Sequence, residues 1–520
     1  MIRVLSVENM RKSDAAAIAA GTPGRELMGR AAGAVFDAYR WKGPAAIVCG
    51  SGNNAGDGYA LALLLHEAGI VCTLVRLSEK LSQDGRFFYE KCAAVGVPEI
   101  RLWESGRAGG IFKGCSEIVD CIFGTGFKGA ARGLAAEVIK EINSSGCFVI
   151  SVDINSGLNG DNGLIGGTYP QMEDAVCVRS DLTVSIGDYK PGHFLGSAKD
   201  VIGSRINCDI GIEPADPPAF LFTDEDASAV IPPRLNLSNK GTYGYCALLG
   251  GSSRYSGAVR LAALSQTALR SGAGVAAAAV PESIVPLVSQ SVLESTVFPM
   301  PDEGGELGFS PDALAELAGR YGVIAFGMGS GTGEGAGASL EWLLENYCGR
   351  LIVDADGLTL LSRIPAERIG QARPELLLTP HVKEFSRLLS GGPGKALSGI
   401  DAEPSVSYIT EHPIDLARGF AAAYPRMTLL LKGPSTVITD GMRTYLTDAG
   451  CAGMATAGSG DVLSGVLAAL VSYVDDLTLA AAAGAHINGR AGELAQRRFG
   501  AVSMTSGDTL AALPEVFKAL

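Results

Sequence analysis

Short apolar runs recur along the chain, each closed by a polar or glycine-rich break and followed by a stretch with helical spacing. In the first half AAIVC at 45–49, VCTLVRL at 71–77, EIVDCIF at 117–123 and CFVISVD at 147–153 read as buried strands. Between them, 57–68, 86–94 and 131–143 carry apolar-faced helical spacing, after a leading helix-forming segment at 25–41. Strands that are apolar throughout and separated by helices predict a parallel sheet covered on both faces. In such sheets a ligand sits outside the carboxyl ends of the strands.

The pattern is interrupted at IEPADPPAF, 212–220, and TDEDASAVIPPR, where Pro and acidic residues show no period. This reads as a linker, so the expected organisation is a domain at 1–215, a linker at 216–224 and a second domain at 225–520. In the second half a strand precedes a Gly/Ser-rich turn within 239–258, and a small-residue helix follows at 258–271, then a strand at 274–280. YGVIAFGMGSGTG (321–333) ends a strand in glycines and RLIVDADGLTLL (350–361) ends one in Asp354 and Asp356. ELLLTPHVKEFSRLL (375–389) gives strand, Thr-Pro turn, His381 and helix; MTLLLKGPSTVITD (427–440) carries Lys432 at a strand end. The hairpin 435–447 is expected as an antiparallel addition to a second α/β sheet.

Composition narrows the function classes. The length, 520 residues, exceeds one ordinary core, and 47% hydrophobic with 19% charged residues is the balance of a packed protein. A formal net charge of -13 argues against nucleic acid, whose phosphates need a basic face. Anionic small ligands remain compatible, since local amides hold them. The 11 cysteines form no CxxC pair and most sit in apolar runs, as in a reducing compartment. MIRVLSVENMRKSDAAA lacks the apolar region of a secretory signal, and the apolar helices near 462–474 and 479–486 are too short or too broken to span a bilayer. A cytoplasmic protein without membrane partners is expected, assembled as a homo-oligomer.

Three strand ends in the first half carry chemistry. GSGNNAGDG (50–58) fits the GxGxxA dinucleotide fingerprint, and Arg76 at the end of the next strand would suit a 2'-phosphate. Asn53, Asn54 and Asp57 are more polar than a pyrophosphate turn requires and offer oxygens to a hard cation. DCIFGTGFKG contributes Asp120 and the glycines 124, 126 and 129, and VDINSGL contributes Asp153 and Ser156. Each cluster alone is ordinary turn chemistry; three converging on one sheet edge favour a site. Lys190 in DYKPG either faces phosphates or is a solvated turn lysine.

In the second half MATAGSGDVLSG (454–465) passes from loop into apolar helix. Gly458, Ser459 and Gly460 open a phosphate cradle at the helix's positive end. Asp461 on its rim would repel the anion, so it is either a proton acceptor for a hydroxyl being phosphorylated or an N-cap. His381 is a capping or packing residue or a ligand; Asp354 and Asp356 cap the next helix or serve the site. Lys432 is a strand-end charge in water or, with Gly433, Pro434, Ser435 and Thr436, a nucleotide contact. No Walker A motif is present, because Ala396 follows Gly394-Lys395.

GSGNNAGDG, DCIFGTGFKG, VDINSGL and SIGDYKPGHFLG together resemble the N-terminal epimerase domain of the bifunctional NAD(P)H-hydrate repair enzymes, over residues 1–215. NKGTYG, GGSSRYSGA, FGMGSG, VDADG, LTPHVKEFSRLL, LKGPSTVI, MATAGSGDVLSG and AGAHINGRAGELA resemble, in the same order, the C-terminal ADP-dependent dehydratase domain of these enzymes, which is similar to ribokinase-like kinases. The resemblance implies an N-terminal Rossmann-like three-layer αβα domain and a C-terminal ribokinase-like α/β domain. It implies epimerisation of R and S hydrates of NADH and NADPH (NADHX and NADPHX), then ADP-dependent dehydration of the S-hydrate to NAD(P)H, AMP and phosphate. Asn53, Asn54, Ala55, Gly56 and Asp57, with Gly124, Thr125, Gly126, Phe127, Lys128, Gly129 and Ala130, would hold the hydrate, and Asp153 would face the reacting ring as proton carrier. Asn54, Asp120 and Ser156 would contact K+. Ala258, Gly329, His381 and Asp461 would line the second hydrate site; Lys432 to Thr436 with Gly458, Ser459 and Gly460 would bind ADP, whose phosphates Mg2+ bridges. Asp461 would take the proton from the C6 hydroxyl. The sequence departs from the family's usual residues at Ala55 (Gly), Asn155 (Pro), Met328 (Pro), Ser330 (Leu), in AGSGD (GGTGD) and in DAGCAGMA (an Asn-Pro step). The alternative is a ribokinase-like small-molecule kinase with a regulatory, nucleotide-binding N-terminal domain.

Overall fold

The computed structural model describes residues 1–105, 108–214, 219–263, 267–397 and 404–520. Two compact units divide the chain: Arg3–Ala219, and Phe220–Leu520 with Met1–Ile2. Of the expected linker, residues 216–218 lie outside the described residues. Beyond them the chain is already structured. Ala219–Leu221 is a strand whose Phe220 and Leu221 pair with Tyr445 and Leu446, and Thr223 caps the helix Asp224–Val230 through a capping box with Asp226. The acidic composition that suggested a linker is thus a helix N-terminus.

The first unit is built on an all-parallel sheet ordered Glu99–Arg101, Cys72–Arg76, Ala45–Cys49, Glu117–Cys121, Phe148–Val152, Ser180–Ile186, Ile202–Cys208. Helices Gly24–Asp37 and Asn53–Glu67 bury Ala32, Val35, Leu61 and Leu65 on one core cluster, and Gly133–Ser144 places Val138, Ile139 and Ile142 in another. Both faces of the central strands are therefore apolar, which is why Ala45–Cys49 and Glu117–Cys121 are buried at every position. The chain order reverses at Ala45–Cys49, which sends its neighbours Cys72–Arg76 and Glu117–Cys121 to opposite sides. That switch point opens a crevice at the carboxyl ends.

In the second unit parallel strands run in the order Met427–Leu431, Glu375–Leu378, Arg350–Val353, Val323–Phe326, Tyr245–Leu249, Val275–Pro281, Thr296–Met300. Thr436–Thr439 and Thr444–Thr447 extend the edge antiparallel, the expected hairpin. Helix Ser459–Tyr473, buried from Val462 to Val471, lies against the strands Tyr245–Leu249 and Val323–Phe326 and the helix Ser256–Ala263. Its Gly465 permits that approach, since a Cβ there would collide with the Ala262 carbonyl oxygen. Among the described residues no helix is long and apolar enough to cross a membrane.

Candidate active sites

In the first unit Ala45–Cys49 ends at Gly50, where a Cβ would strike the Ile122 carbonyl oxygen; the turn requires glycine. Helix Asn53–Glu67 begins just beyond, with Gly52 at its N-cap. Residues three apart share a helix face, so Asn54 and Asp57 border a cavity of about 610 Å³ that also takes in Asn53, Gly124–Phe127, Asp153 and Lys190. Ala55 and Gly56, expected in the hydrate site, are not among the residues bordering the cavity: Ala55 belongs to the core at 2% exposure, and Gly56 packs against Met28, which does border it. Lys128, Gly129 and Ala130 are likewise not among the residues bordering the cavity, whereas Phe127 is, and it stacks on Phe123 at 4.0 Å.

The three expected cation ligands gather around Phe123. Asn54 Nδ2 donates to the Phe123 carbonyl at 2.8 Å, and Asn54 Oδ1 is buried without a partner. The Phe123 N–H donates to Ser156 Oγ (2.8 Å), which donates to Asp120 Oδ1 (2.6 Å). Asp120 is wholly buried; burial pushes its carboxyl up, while hydrogen bonds from Ser156, Ile122 and Ser151 pull against that.

Asp153 follows the strand Phe148–Val152 in a left-handed conformation, φ 66°, uncommon for a residue with a side chain. Lys190 is 1% exposed, and its Nζ donates to Asp153 Oδ1 (2.5 Å) and to the Ile186 carbonyl (2.8 Å). The solvated-lysine reading is thereby overturned. Burial alone would raise the Asp153 carboxyl, but the Lys190 ammonium outweighs it and holds the group below the usual range. Burial, helped by Lys190, brings His193 down to about 4, so the ring is neutral. Its Nδ1 accepts from the Lys190 N–H (2.9 Å), leaving Nε2–H to donate to the Asp153 carbonyl (2.7 Å). Burial and the carboxylates of Asp153 and Asp14 push Asp57 well up. Nothing in the sequence marked His193; its only signal was its position three residues after Lys190.

Arg76 does not await a 2'-phosphate. It is 3% exposed, paired with Glu99 at 2.7 Å, bonded to Tyr59 and packed on Tyr89 and Trp103, because the strand end that suggested a ligand is roofed by helix Gln83–Val95. Asn155 is buried and its amide is satisfied, donating to Val178 O, Ser180 Oγ and Val201 O and accepting from Thr183 Oγ1.

In the second unit Gly458, at φ 87°, is the N-cap of helix Ser459–Tyr473. Asp461 thus sits in the first turn and is no cap. Among the described residues no hydrogen bond reaches its carboxyl. Burial and the nearby Asp354 push it up to about 7, against the pull of Lys432, with Asp356 adding to the rise. Asp354 caps nothing either: it is 2% exposed, accepts from Lys432 Nζ (2.9 Å) and Ser464 Oγ (2.8 Å), and is held low by Lys432 despite its burial. Asp356 opens the helix Asp356–Leu361 and accepts from the Gly331 N–H at 3.0 Å. Between them Ala355 takes φ 49°. Strained backbone thus lies beside the buried ion pair in both units.

Lys432 is a partner of two carboxylates, with Glu384 at 3.9 Å, and these raise it against the lowering effect of burial. A Cβ on Gly460 would lie 3.7 Å from both Asp354 Oδ2 and Lys432 Nζ, which places the cradle beside the pair. His381 is a helix cap: its Nδ1 accepts from Lys383 N and Glu384 N while Glu384 Oε2 accepts from His381 N. Its backbone bridges to Lys432, bringing it to the same strand ends. Ala258 and Gly329 meet, a Gly329 Cβ falling 3.3 Å from Ala258 Cβ. Gly433 and Pro434 are exposed, Thr436 is half-buried, and Ser435 turns inward to Asp448 at 3.1 Å. Sequence reasoning missed Ser464, one turn after Asp461, and Glu384, whose spacing from His381 is the capping-box signature.

The cap glycine gives a direct test. Gly458→Ala would force a left-handed alanine and set its Cβ 2.5 Å from Ser506 Oγ and 2.6 Å from Leu261 Cδ1. A loss of about 1–3 kcal/mol is expected, read as a lowered thermal midpoint, together with a weakened cradle.

Fold and clusters define the class: a two-unit α/β protein whose parallel sheets each gather a carboxylate–lysine ion pair at the carboxyl ends of their strands. The family model described as "NAD(P)H-hydrate dehydratase" matches residues 246–515 and that described as "YjeF-related protein N-terminus" matches 24–192. "Bifunctional NAD(P)H-hydrate repair enzyme Nnr" of Pyrobaculum aerophilum is 32% identical, covering 96% of this chain and 95% of its own. That of Moorella thermoacetica is 34% identical over 91% of this chain and 87% of its own. A solved ADP/ATP-dependent NAD(P)H-hydrate dehydratase from Bacillus subtilis, co-crystallised with ATP/Mg2+, is 26% identical at TM-score 0.48, covering 57% of this chain and 98% of that one. The chain belongs to the family of bifunctional NAD(P)H-hydrate repair enzymes.

Proposed function

We propose that the first unit equilibrates the R and S hydrates of NADH and NADPH at the Asp153–Lys190 cavity, and that the second dehydrates the S-hydrate with ADP, giving NAD(P)H, AMP and phosphate. The observation that carries the dehydratase reading is Asp461, a half-buried carboxyl on the rim of the Gly458–Gly460 cradle that no hydrogen bond reaches among the described residues. Asp461 takes the proton of the C6 hydroxyl as that oxygen is phosphorylated; phosphate then leaves where hydroxide would leave poorly, the ring nitrogen's lone pair forming N=C6, and loss of the C5 proton to solvent returns that pair to nitrogen and forms the C5=C6 double bond of the dihydronicotinamide. Lys432, held charged by Asp354, faces the same point and offers a cation to the nucleotide. The Gly460 and Asp461 N–H groups of the helix's first turn would hydrogen-bond the phosphoryl oxygens as the group passes to the C6 oxygen, while Ser459 N–H and Val462 N–H already donate to Thr456 O and Gly458 O.

Magnesium would neutralise charge on the nucleotide phosphates. For the first unit, the buried unpartnered Asn54 Oδ1 beside the Phe123 carbonyl and Ser156 Oγ fits K+, a cation that takes neutral oxygens. Added KCl at constant ionic strength is expected to speed R/S equilibration by the wild type and not by Asn54→Ala.

The test of the dehydratase reading is recovery of reduced-nicotinamide absorbance from hydrated cofactor and ADP. A stable phosphorylated product without that recovery would instead favour the kinase alternative. Because Asp461 works ionised and its carboxyl lies at about 7, kcat for dehydration is expected to fall as pH drops through about 7 and to level off above it. A flat profile across that range would remove the proton-accepting role.

A further inference from the structure

We propose that Asp14 is a second proton carrier of the first-unit cavity, serving the leaving hydroxyl of the hydrate while Asp153 serves the incoming water. This rests on the epimerase reading of that cavity.

The helix Val7–Ala19 presents Met10, Asp14 and Ile18 to the cavity, positions four apart and so on one face. Asp14 shares this face with Met10, Ile18 and Arg11, and among the described residues no hydrogen bond or ion pair reaches its carboxyl, so it borders the cavity without a partner to hold it charged. The groups that meet it across the same cavity are Asp57, Asp153 and Lys190, with Arg11 and Asp84 also in the lining. Asp153, by contrast, is clamped by Lys190 at 2.5 Å. The two carboxyls are thus driven apart: burial, with a smaller push from Asp153 and against Lys190, lifts Asp14 to about 6, whereas Lys190 keeps Asp153 low. Titratable groups separated in this way divide the acid and base roles of a site.

The chemistry balances without another reagent. As the C6–O bond of the hydrate breaks, the ring nitrogen's lone pair forms the N=C6 bond and the proton of Asp14 passes to the departing oxygen, releasing water. A water then adds to C6 from the other face, the N=C6 electron pair returns to nitrogen, and the water's proton goes to Asp153. Exchange with bulk water resets both carboxyls.

The experiment is R/S equilibration by the full chain, with kcat and KM measured against pH for wild type, Asp14→Asn and Asp14→Glu. Wild-type kcat is expected to fall as pH rises through about 6, since the acid must carry its proton. Asp14→Asn is expected to lower kcat about 100-fold with KM within threefold and to lose that falling limb. Asp14→Glu should restore part of the rate and the limb. Dehydration of pure S-hydrate, measured on the same samples, should stay unchanged. Should Asp14→Asn fail to fold, Asp14→Ser carries the same comparison. The assignment is overturned if the uncharged variant equilibrates within threefold of wild type, if only KM rises, or if Asp14→Glu is no better than Asp14→Asn. A wild-type chain that binds hydrate and does not equilibrate it overturns the epimerase reading itself, whatever Asp14 does.

Discussion

Asp461→Asn is expected to lower kcat for ADP-dependent dehydration by about 10²–10⁴, the usual worth of a positioned general base. The amide keeps the shape of the side chain and cannot accept the proton. KM for ADP should change little, because the cradle N–H groups and Lys432 remain, and removing a carboxylate beside bound phosphate even relieves repulsion. The pH dependence through about 7 should vanish with the group responsible for it. R/S equilibration should be untouched, since every residue assigned to it lies within Arg3–Ala219. Ordinary turnover by the variant would end the proton-acceptor assignment.

The second large effect is expected at Lys190. Its ammonium is 1% exposed and holds Asp153 at 2.5 Å with Asp14 and Asp57 nearby. Lys190→Met removes the ammonium that acts on all three carboxylates and leaves the half-buried Asp153 without its ion-pair partner. Breaking a buried pair from one side costs about 3–5 kcal/mol. A lower unfolding midpoint for the first unit is expected, with loss of equilibration. Lys190→Met combined with Asp153→Asn should recover much of the stability and none of the epimerase activity. Recovery of activity by the double variant would show that the pair is structural only.

Much of this was legible because some physical demands are local. Parallel strands buried on both faces must be apolar throughout, so Ala45–Cys49, Glu117–Cys121 and Phe148–Val152 announce themselves. Glycines at strand ends and before helices are equally visible, as at Gly50 and Gly458, because no other residue fits those turns. Where the reading erred, the missing information was direction. NNAGD looks like one uniform ligand loop until it is wound into a helix, which aims Asn54 and Asp57 at the cavity and buries Ala55. Arg76 looks like a phosphate ligand until Glu99 and Tyr89, distant in sequence, close over it.

The sequence by itself determined the two α/β units, their strand ends as the places where chemistry gathers, and the ordered motifs that mark the family. Only the tertiary structure decided which charges meet: Lys190 with Asp153, Lys432 with Asp354, Asp14 with a cavity built from residues far along the chain. The reason is that periodicity and turn chemistry act over a few residues and leave a local trace. A pairing across 78 positions, as between Asp354 and Lys432, is fixed by sheet order and burial, and these exist only once the chain has packed.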